Sequence, residues 1–329
     1  MRIAVDAMGG DNAPEVVVGG AVAAIKEYKV DVILVGDEAR INLLLKEYRH
    51  KGNSISVCNA PEIIEMSESA ATSVRRKRKS SIVLGLDLVK QGKADAFFSA
   101  GNTGAVVCAA ALSLGLLPDI ERPGIAILTP NLKKSTSLII DVGANIDPKP
   151  KQLLQYGIMG DVYSRYIMNK ANPTVGLLNI GEEEAKGTDF VRECHELLQK
   201  SRLNFIGNIE GKHIFSGECD VVICDGFVGN VVLKVSEGVS ETFMVLLKRY
   251  LLNSMLGKIG LLFLIPSFRR LKKDIDYAEY GGAPLLGVNG IVIIGHGRSN
   301  LKAVKNAIRV AKEEVERKFN EKVLEAIKG

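Results

Sequence analysis

The stretch Ile3-Ala-Val-Asp-Ala-Met-Gly-Gly-Asp11 joins a short apolar run to a turn that is rich in Gly and Asp. The same pattern recurs along the chain, and several of the apolar runs are continuous Val, Ile and Leu rather than alternating with polar residues. Continuous runs are typical of strands that are buried on both faces of a parallel sheet. Because helical patterns separate these runs, the sequence predicts a three-layer α/β/α fold with a mostly parallel sheet.

The predicted strands and helices alternate along the whole chain. Strands are predicted at Ile3–Asp6, Val32–Gly36, Ser54–Val57, Ala96–Ser99, Ile125–Thr129, Leu138–Asp141, Thr174–Asn179, Asn204–Gly207, Val221–Asp225 and Ile291–Gly295. Helices are predicted at Glu15–Tyr28, Ala39–Tyr48, Ile82–Gln91, Lys151–Met168, Asp189–Lys200 and Leu301–Phe319. Since no internal repeat or linker interrupts them, we expect residues 1–329 to form a single α/β domain.

The composition excludes several classes of protein. Of the 329 residues, 47% are hydrophobic and 25% are charged, which is ordinary for a globular chain. No apolar stretch approaches the ~20 residues that a membrane-spanning helix needs, and the first residues lack the features of a signal peptide. The five cysteines are scattered without a C-x-x-C pair, and only four histidines are present. We therefore expect a cytoplasmic protein without a disulfide, a metal site or a cofactor.

The net charge of +5 is concentrated in two places. The run Arg75-Arg-Lys-Arg-Lys79 holds five cations, and residues 248–273 hold seven with no Asp or Glu, so the rest of the chain is acidic. Such patches attract anionic surfaces, acidic proteins or phosphates, although the first run would also suit a solvated helix face. Because only 5% of the residues are aromatic and no Trp or nucleic-acid-reading motif occurs, we do not expect nucleic acid binding.

Polar, glycine-containing turns follow six of the predicted strands. They are Asp6–Asp11, Ser99–Gly104, Asp141–Asn145, Asn179–Glu182, Asp225–Asn230 and Gly295–Asn300. In open parallel sheets the ligand lies at the carboxyl ends of the strands. Gly lets the backbone approach a ligand there, and helix N-termini direct N–H groups at an anion. The six turns together predict a site for a phosphate-sized anion.

Motifs that the sequence lacks narrow the chemistry further. It contains no G-x-x-x-x-G-K-[ST] loop for a nucleoside triphosphate and no G-x-G-x-x-G fingerprint after the first strand. It also contains no G-x-S-x-G elbow, and no cysteine has an obvious histidine partner. The predicted cleft therefore binds an anion without supplying a nucleophile of its own.

The segment 243–273 departs from the α/β alternation, because its apolar residues recur at helical spacing and are followed by a basic run. One interpretation is a core or dimer-interface helix followed by a solvated basic turn. The other is an amphipathic helical hairpin that lies in a membrane interface, with Lys and Arg among anionic headgroups. The second interpretation predicts membrane contacts at Leu256, Ile259, Leu262, Phe263, Arg269 and Arg270.

The first five of these turns resemble, in their order, motifs of the bacterial phosphate acyltransferases of phospholipid synthesis. The resemblance extends to Lys186-Gly187, to Val231–Lys234 and to Tyr280-Gly-Gly-Ala-Pro-Leu-Leu-Gly287. The resemblance covers essentially the whole chain. It implies a fold similar to phosphotransacetylase and the isopropylmalate dehydrogenase group, a homodimer, and transfer of a fatty acyl group from acyl-acyl-carrier-protein (acyl-ACP) to inorganic phosphate. It further implies a protein bound peripherally to the inner face of the cell membrane, which passes acyl phosphate to a membrane glycerol-3-phosphate acyltransferase.

Phosphate can attack a thioester directly, so the site needs to orient the phosphate and stabilise an oxyanion. We expect Lys186, Asn230 and His296 to be catalytic, with Lys186 as the countercharge of phosphate and His296 as a proton or hydrogen-bond donor. The expected phosphate ligands are Asn102, Thr103, Asn145 and Ser299, and the expected ACP contacts are Arg75, Arg76 and Lys77. Each has a structural alternative: the Asn residues can fix turns, and His296 can be a satisfied structural histidine.

Two other functions stay open at this point. The fold that the resemblance implies also occurs in dehydrogenases, and the missing dinucleotide fingerprint argues against that activity only weakly. The second is a non-catalytic scaffold that is docked to a membrane through the segment 243–273.

Overall fold

The computed structural model describes residues 1–49, 52–253, 255, 260, 263–267 and 277–328. The strands are β1 (Arg2–Asp6), β2 (Asp31–Gly36), β3 (Ile55–Asn59), β4 (Ala96–Ser99), β5 (Gly124–Pro130), β6 (Thr136–Ile140), β7 (Val175–Leu178), β8 (Phe205–Ile209), β9 (Val221–Ile223), β10 (Ala283–Leu286) and β11 (Ile291–Ile294). The helices are α1 (Glu15–Tyr28), α2 (Glu38–Glu47), α3 (Ala70–Arg76), α4 (Ser81–Lys90), α5 (Thr103–Ser113), α6 (Pro150–Tyr166), α7 (Asp189–Gln199), α8 (His213–Ser216), α9 (Gly226–Leu252), α10 (Tyr277–Tyr280), α11 (Leu301–Glu316) and α12 (Phe319–Lys328).

These strands form a single sheet in the order β3-β2-β1-β4-β11-β10-β5-β6-β9-β7-β8. All neighbouring strands are parallel except at β10, which is antiparallel to β11 and β5, and between β5 and β6. The mostly parallel sheet that the continuous apolar runs predict is therefore confirmed. The antiparallel pairs divide the sheet into two parallel blocks, β3-β2-β1-β4-β11 and β6-β9-β7-β8, which run in opposite directions.

Helices cover both faces of the sheet, because successive strand side chains point to opposite sides. In β4, Phe98 packs into the core that contains α1, α6, α7, α11 and α12, whereas Phe97 packs into the core beside α3, α4 and α5. Both side chains are fully buried, and burial of each contributes about 2 kcal/mol. The three-layer architecture follows from these two cores.

Polar residues at the ends of strands start several of the helices. Asn102, Asp225 and Asn300 precede α5, α9 and α11, and each accepts a hydrogen bond from the backbone N–H three residues further on. Such a cap satisfies one of the N–H groups that the first helical turn leaves without a partner. The turns expected to bind a ligand thus also fix where the helices begin.

Several described elements differ from the predicted ones. Strand β10 was not predicted, because Gly282, Pro284 and Gly287 in and beside it are typical of a turn, yet it pairs with both β11 and β5. The described helices that were also not predicted are α3, α5, α8, α10 and α12. The helical part of the segment 243–273 begins earlier than expected, since Phe243 lies in the middle of the 27-residue helix α9.

Candidate functional site

The turns after β1, β4 and β11 meet at one edge of the sheet, around the buried carboxyl group of Asp6. The Ser99 hydroxyl donates a hydrogen bond to Asp6 Oδ2 at 2.7 Å, and the Met8 N–H donates to Oδ1 at 3.1 Å. The turn after β11 joins them, because the Asp11 N–H donates to the carbonyl oxygen of Gly297 at 2.8 Å. Burial raises the pKa of the Asp6 carboxyl, while the hydroxyls of Ser81 and Ser99 oppose the shift.

Asn102 lies in this cluster, but its side chain is used within the protein. Its Nδ2 donates to the carbonyl oxygens of Glu65, Met66 and Glu68 at 3.0–3.2 Å, and its Oδ1 caps α5. The side chain is therefore a tether for the loop before α3, which is the structural alternative to phosphate binding. Thr103, the first residue of α5, is exposed beside it and could still bind an anion together with the helix N-terminus.

His296 and Ser299 lie in the turn between β11 and α11. The Ser299 hydroxyl is buried and donates to the carbonyl oxygen of His296 at 2.6 Å, so this geometry also favours a structural role over phosphate binding. Nδ1 of His296 accepts a hydrogen bond from the Arg298 N–H at 3.0 Å. Nε2 of His296 lies 3.9 Å from Oε1 of Glu237 on α9. His296 is thus held between its own turn and α9.

A second cluster surrounds Asp141 at the end of β6. The Asp141 carboxyl accepts hydrogen bonds from four backbone N–H groups, and burial raises its pKa although these four bonds oppose the shift. The four donors belong to Ile125, Gly143, Ala144 and Asn145.

The Asn145 side chain is committed as well. Its Nδ2 lies 2.6 Å from the carbonyl oxygen of Pro123 and 2.5 Å from the hydroxyl oxygen of Tyr156. The same residue accepts a hydrogen bond from the Gly226 N–H at 2.7 Å, which joins the turns after β6 and β9. Asn145 therefore holds turns in place, rather than leaving its amide available to phosphate.

Asn230 lies in the second turn of α9 and is exposed, and an added Cβ at Gly143 would be 3.8 Å from its side chain. It therefore lies beside the Asp141 turn. Four polar residues on α9, spaced by four, three and four positions, share one face of this helix. They are Asn230, Lys234, Glu237 and Glu241.

This face of α9 connects the two clusters. Lys234 Nζ lies 2.9 Å from Glu237 Oε2, and Arg298 beyond β11 is 3.4 Å from Glu241. The helix rises about 1.5 Å per residue, so Asn230 and Glu237 are about 10 Å apart along it. Neither Lys234 nor Glu237 is among the predicted site residues, although their helical spacing from Asn230 is a usable signal.

Lys186 lies in the loop after β7, on the same edge as the ends of β6 and β9. Its carbonyl oxygen accepts a hydrogen bond from Asn179 Nδ2 at 3.1 Å, which folds the loop back onto the strand end. The side chain is exposed, and within the described ranges its ammonium has no ion-pair partner. The predicted site residues thus fall into two groups. The cluster around Asp141 contains Asn145, Lys186 and Asn230, and the cluster around Asp6 contains Asn102, Thr103, His296 and Ser299.

The basic run 75–79 lies at the end of α3 and in the turn that follows it. Arg75, Arg76, Arg78 and Lys79 are exposed. Lys77 instead contacts the carbonyl oxygen of Ile63 at 2.6 Å and Glu68 at 2.5 Å, and its side chain is only 20% exposed. Lys77 therefore holds the loop before α3 together, whereas its expected contact with a carrier protein stays a prediction.

Of the expected membrane contacts, Phe263 is described, and its side chain is 81% exposed. The other expected membrane contacts lie outside the described residues; they are Leu256, Ile259, Leu262, Arg269 and Arg270. Among the helices that the structure describes, none is long and apolar enough to cross a membrane. In the same part of the chain, no three His, Cys, Asp or Glu side chains are grouped as ligands for one metal ion.

Comparisons with known proteins bear on both the family and the fold. A protein-family model described as "Fatty acid synthesis protein" matches residues 1–322. A phosphate acyltransferase of Pelobacter propionicus is 50% identical over 327 residues, which are 99% of this chain and 94% of that protein. A phosphate acyltransferase of Dictyoglomus turgidum is 49% identical over 328 residues, covering 99% and 98%.

Solved structures share the fold at low sequence identity. A phosphotransacetylase from Streptococcus pyogenes matches with a TM-score of 0.66 and 17% identity, covering 96% of this chain and 94% of that chain. A 4-hydroxythreonine-4-phosphate dehydrogenase from Klebsiella pneumoniae matches with a TM-score of 0.51 and 15% identity, covering 95% and 99%. These likenesses confirm the expected fold class, including its relation to phosphotransacetylases and to a dehydrogenase.

Proposed function

Because this chain belongs to the phosphate acyltransferase family, whose members are acyltransferases with phosphate as the acceptor, we propose that its acyl donor is a fatty acyl thioester of acyl carrier protein. The products are then acyl phosphate and free carrier protein, and acyl phosphate passes to a membrane glycerol-3-phosphate acyltransferase. The observation that carries the proposal is the pair of polar turn clusters joined by one face of α9, with the exposed ammonium of Lys186 at the edge of β6, β9 and β7.

In the proposed reaction a phosphate oxygen attacks the thioester carbonyl carbon, and the C–S bond breaks when the tetrahedral intermediate collapses. The electron pair leaves with sulfur as a thiolate, so no covalent acyl-enzyme forms. Three of the five thiols support this route, since burial raises the pKa of Cys194 and Cys219 to about 12 and also raises that of Cys224. Thiols with such pKa values stay protonated at neutral pH and are poor nucleophiles.

The groups available to phosphate are Lys186, Thr103, Asn230 and the backbone N–H groups of the Gly-rich turns. Lys186 balances the charge of the phosphate dianion, and Asn230 donates a hydrogen bond to the oxyanion. His296 lies at the other end of this face of α9, beside Glu237. It donates a proton or hydrogen bond to the leaving sulfur or the oxyanion. Asn230 and Glu237, the neighbour of His296, are about 10 Å apart along α9, and phosphate and the thioester would bind along this face.

The carrier protein docks on the exposed cations of the basic run. Arg75, Arg76, Arg78 and Lys79 project from α3 and the turn after it, and α3 packs on α5, whose N-terminus belongs to the first cluster. An acidic carrier that contacts these cations would therefore lie beside the turns that bind the reacting groups.

A homodimer and a position on the inner face of the membrane complete the proposal. The side of α9 opposite Asn230 exposes Val235, Val239 and Phe243, which suits contact with a second copy of the chain. The segment 243–273, with Phe263 exposed, would contact anionic lipid. The substitutions Leu262→Glu and Phe263→Glu should release the protein from anionic vesicles and spare the reaction in solution, whereas Leu43→Glu on α2 serves as the exposed apolar control.

The test of the reaction is an incubation of the purified protein with palmitoyl-ACP and inorganic phosphate. We expect release of the carrier thiol that depends on phosphate, together with acyl phosphate that hydroxylamine traps. Lys186→Ala should lower kcat/KM by about 100-fold or more, as loss of a group that stabilises the transition state does. Lys200→Ala, which removes an exposed lysine 3.6 Å from Glu196, is the matched control and should retain activity.

Other results would contradict the proposal. Thiol release without phosphate would identify a thioesterase. Absence of release with every acyl donor would leave the dehydrogenase fold or a membrane-docked scaffold, and reduction of a nicotinamide cofactor with a 2-hydroxy acid would then separate these two.

A further inference from the structure

Three large apolar side chains are exposed at the edge formed by β6, β9 and β7. Ile146 is 74% exposed, Ile180 is 82% exposed and Phe227 is 61% exposed. Each of them directly follows a residue of a polar turn, namely Asn145, Asn179 and Gly226. Large apolar side chains grouped on a surface generally mark a site of contact.

The chain brings these three side chains close together. The Gly226 N–H donates to the Asn145 carbonyl oxygen at 2.7 Å, so Phe227 and Ile146 flank a single hydrogen bond. Strands β7 and β9 pair up to Leu177 opposite Ile223, and Asn179 and Asp225 each follow two residues later in the chain. Because neighbouring strands lie about 4.8 Å apart, the three turns lie within about 10 Å of one another. We call Ile146, Ile180 and Phe227 the apolar rim.

The apolar rim lies beside the polar groups of the proposed reaction. Asn179 holds the carbonyl oxygen of Lys186 at 3.1 Å, so Ile180 and Lys186 belong to one folded-back loop. Phe227 precedes Asn230 by three residues on α9, which places the two side chains on adjoining parts of the helix surface. A thioester bound near Lys186 and Asn230 would therefore have the apolar rim next to its acyl carbons.

We propose that the apolar rim binds the first part of a long acyl chain and makes the enzyme prefer fatty acyl donors to an acetyl donor. This inference rests on the proposed function and names the residues that determine its specificity. A long chain gains from apolar contacts that an acetyl group is too short to make, because each methylene removed from water adds to binding. The polar clusters would bind the phosphate and thioester of either donor equally.

The experiment compares palmitoyl, octanoyl and acetyl thioesters of the same carrier protein. The variants are Ile146→Ser, Ile180→Ser, Phe227→Ser and the triple variant. Leu132→Ser is the matched control, because Leu132 is 85% exposed but lies in the β5–β6 turn, at the opposite end of β6. We expect kcat/KM of the triple variant to fall about 10- to 100-fold with palmitoyl and to change less than twofold with acetyl. The control should keep the wild-type chain-length profile.

A binding measurement separates failure of this inference from failure of the proposed reaction. A fluorescent fatty acid should bind to the wild type and to Leu132→Ser, and at least tenfold more weakly to the triple variant, whether or not acyl transfer occurs. Equal loss with palmitoyl and acetyl, or an unchanged profile together with unchanged fatty acid binding, would overturn the inference. A change of oligomeric state in the triple variant, measured by light scattering, would instead assign the apolar rim to a second copy of the chain.

Discussion

The side-chain nitrogen of Asn102 lies 3.0 Å from the carbonyl oxygen of Glu68, and it also reaches the carbonyl oxygens of Glu65 and Met66. One amide thus fastens the loop before α3 to the start of α5. Since α3 carries the exposed cations of the basic run, the proposed docking surface and the first turn cluster are held in a fixed relation through this residue.

We predict that Asn102→Ala destabilises the protein by about 2–3 kcal/mol, because it removes a helix cap and leaves partly buried carbonyl oxygens without donors. Asn300→Ala is the control. It removes the cap of α11 alone and should cost about 1 kcal/mol. Chemical denaturation followed by circular dichroism measures both values, and equal losses would contradict the tethering role of Asn102.

Asp141 and Asp225 follow two strands of the same block, β6 and β9, but they accept hydrogen bonds from different numbers of N–H groups. Asp141→Asn should cost about 3 kcal/mol, because an amide NH2 would replace an oxygen that faces backbone donors. Asp225→Asn should be nearly neutral, since Asn and Asp cap helices equally well. Thermal unfolding of the two variants provides the comparison, and a loss for Asp225→Asn as large as that for Asp141→Asn would be inconsistent with this difference.

Substitutions of the exposed cations of the basic run should affect binding of the carrier protein, whereas substitution of the partly buried Lys77 should affect stability. Replacing both Arg75 and Arg76 by Ala should raise KM for the carrier-bound donor about tenfold at low salt, leave kcat unchanged and weaken its dependence on ionic strength. Lys77→Met should instead lower the thermal midpoint, since Lys77 holds Glu68 and the carbonyl oxygen of Ile63. If Lys77→Met changed KM and left the midpoint unaltered, Lys77 would belong to the docking surface.

The buried carboxyl group of Glu314 makes stability depend on pH. Glu314 is 2% exposed and hydrogen-bonded to Tyr163, and burial raises its pKa well above the ordinary 4.5. The unfolded chain ionises near 4.5 while the folded chain stays protonated, so this contribution is full below that pH and declines as the pH rises.

Glu314→Gln stays neutral and should therefore escape this decline. We expect the variant and the wild type to have similar thermal midpoints at pH 4, and the variant to be more stable by several degrees at pH 8. Glu313→Gln, which breaks an ion pair with Arg309, is the control and should lack this increase. A wild-type advantage that grows with pH would refute the assignment.

Much of the fold follows from local patterns in the sequence. The apolar runs of β1, β4 and β11 are strands because their residues suit burial on both faces, and the polar turns stand where those strands end. Strand β10 could not be predicted this way, since its neighbours β11 and β5 determine its conformation. Pro284 and the flanking glycines by themselves indicate a turn.

The availability of each polar side chain also depends on distant residues. Asn102 and Asn145, like Asn230, belong to predicted polar turns that contain Gly. The amides of Asn102 and Asn145, however, donate hydrogen bonds to carbonyl groups 22 to 37 positions away. Nothing in the local sequence distinguishes them from Asn230, which is exposed. The position of the polar turns at strand ends could thus be predicted, whereas their division between the two oppositely directed blocks and the choice among their donors required the tertiary contacts.

The hairpin of β10 and β11 determines when the sheet can be completed during synthesis. It lies between β4 and β5 and so joins the two halves, but its residues 283–294 leave the ribosome after the other nine described strands. Until then β4 and β5 each present an open edge, which is where nascent chains pair with one another and aggregate. A growing chain must therefore carry two incomplete sheets until residues 283–294 emerge, and truncation before residue 283 leaves both of them open.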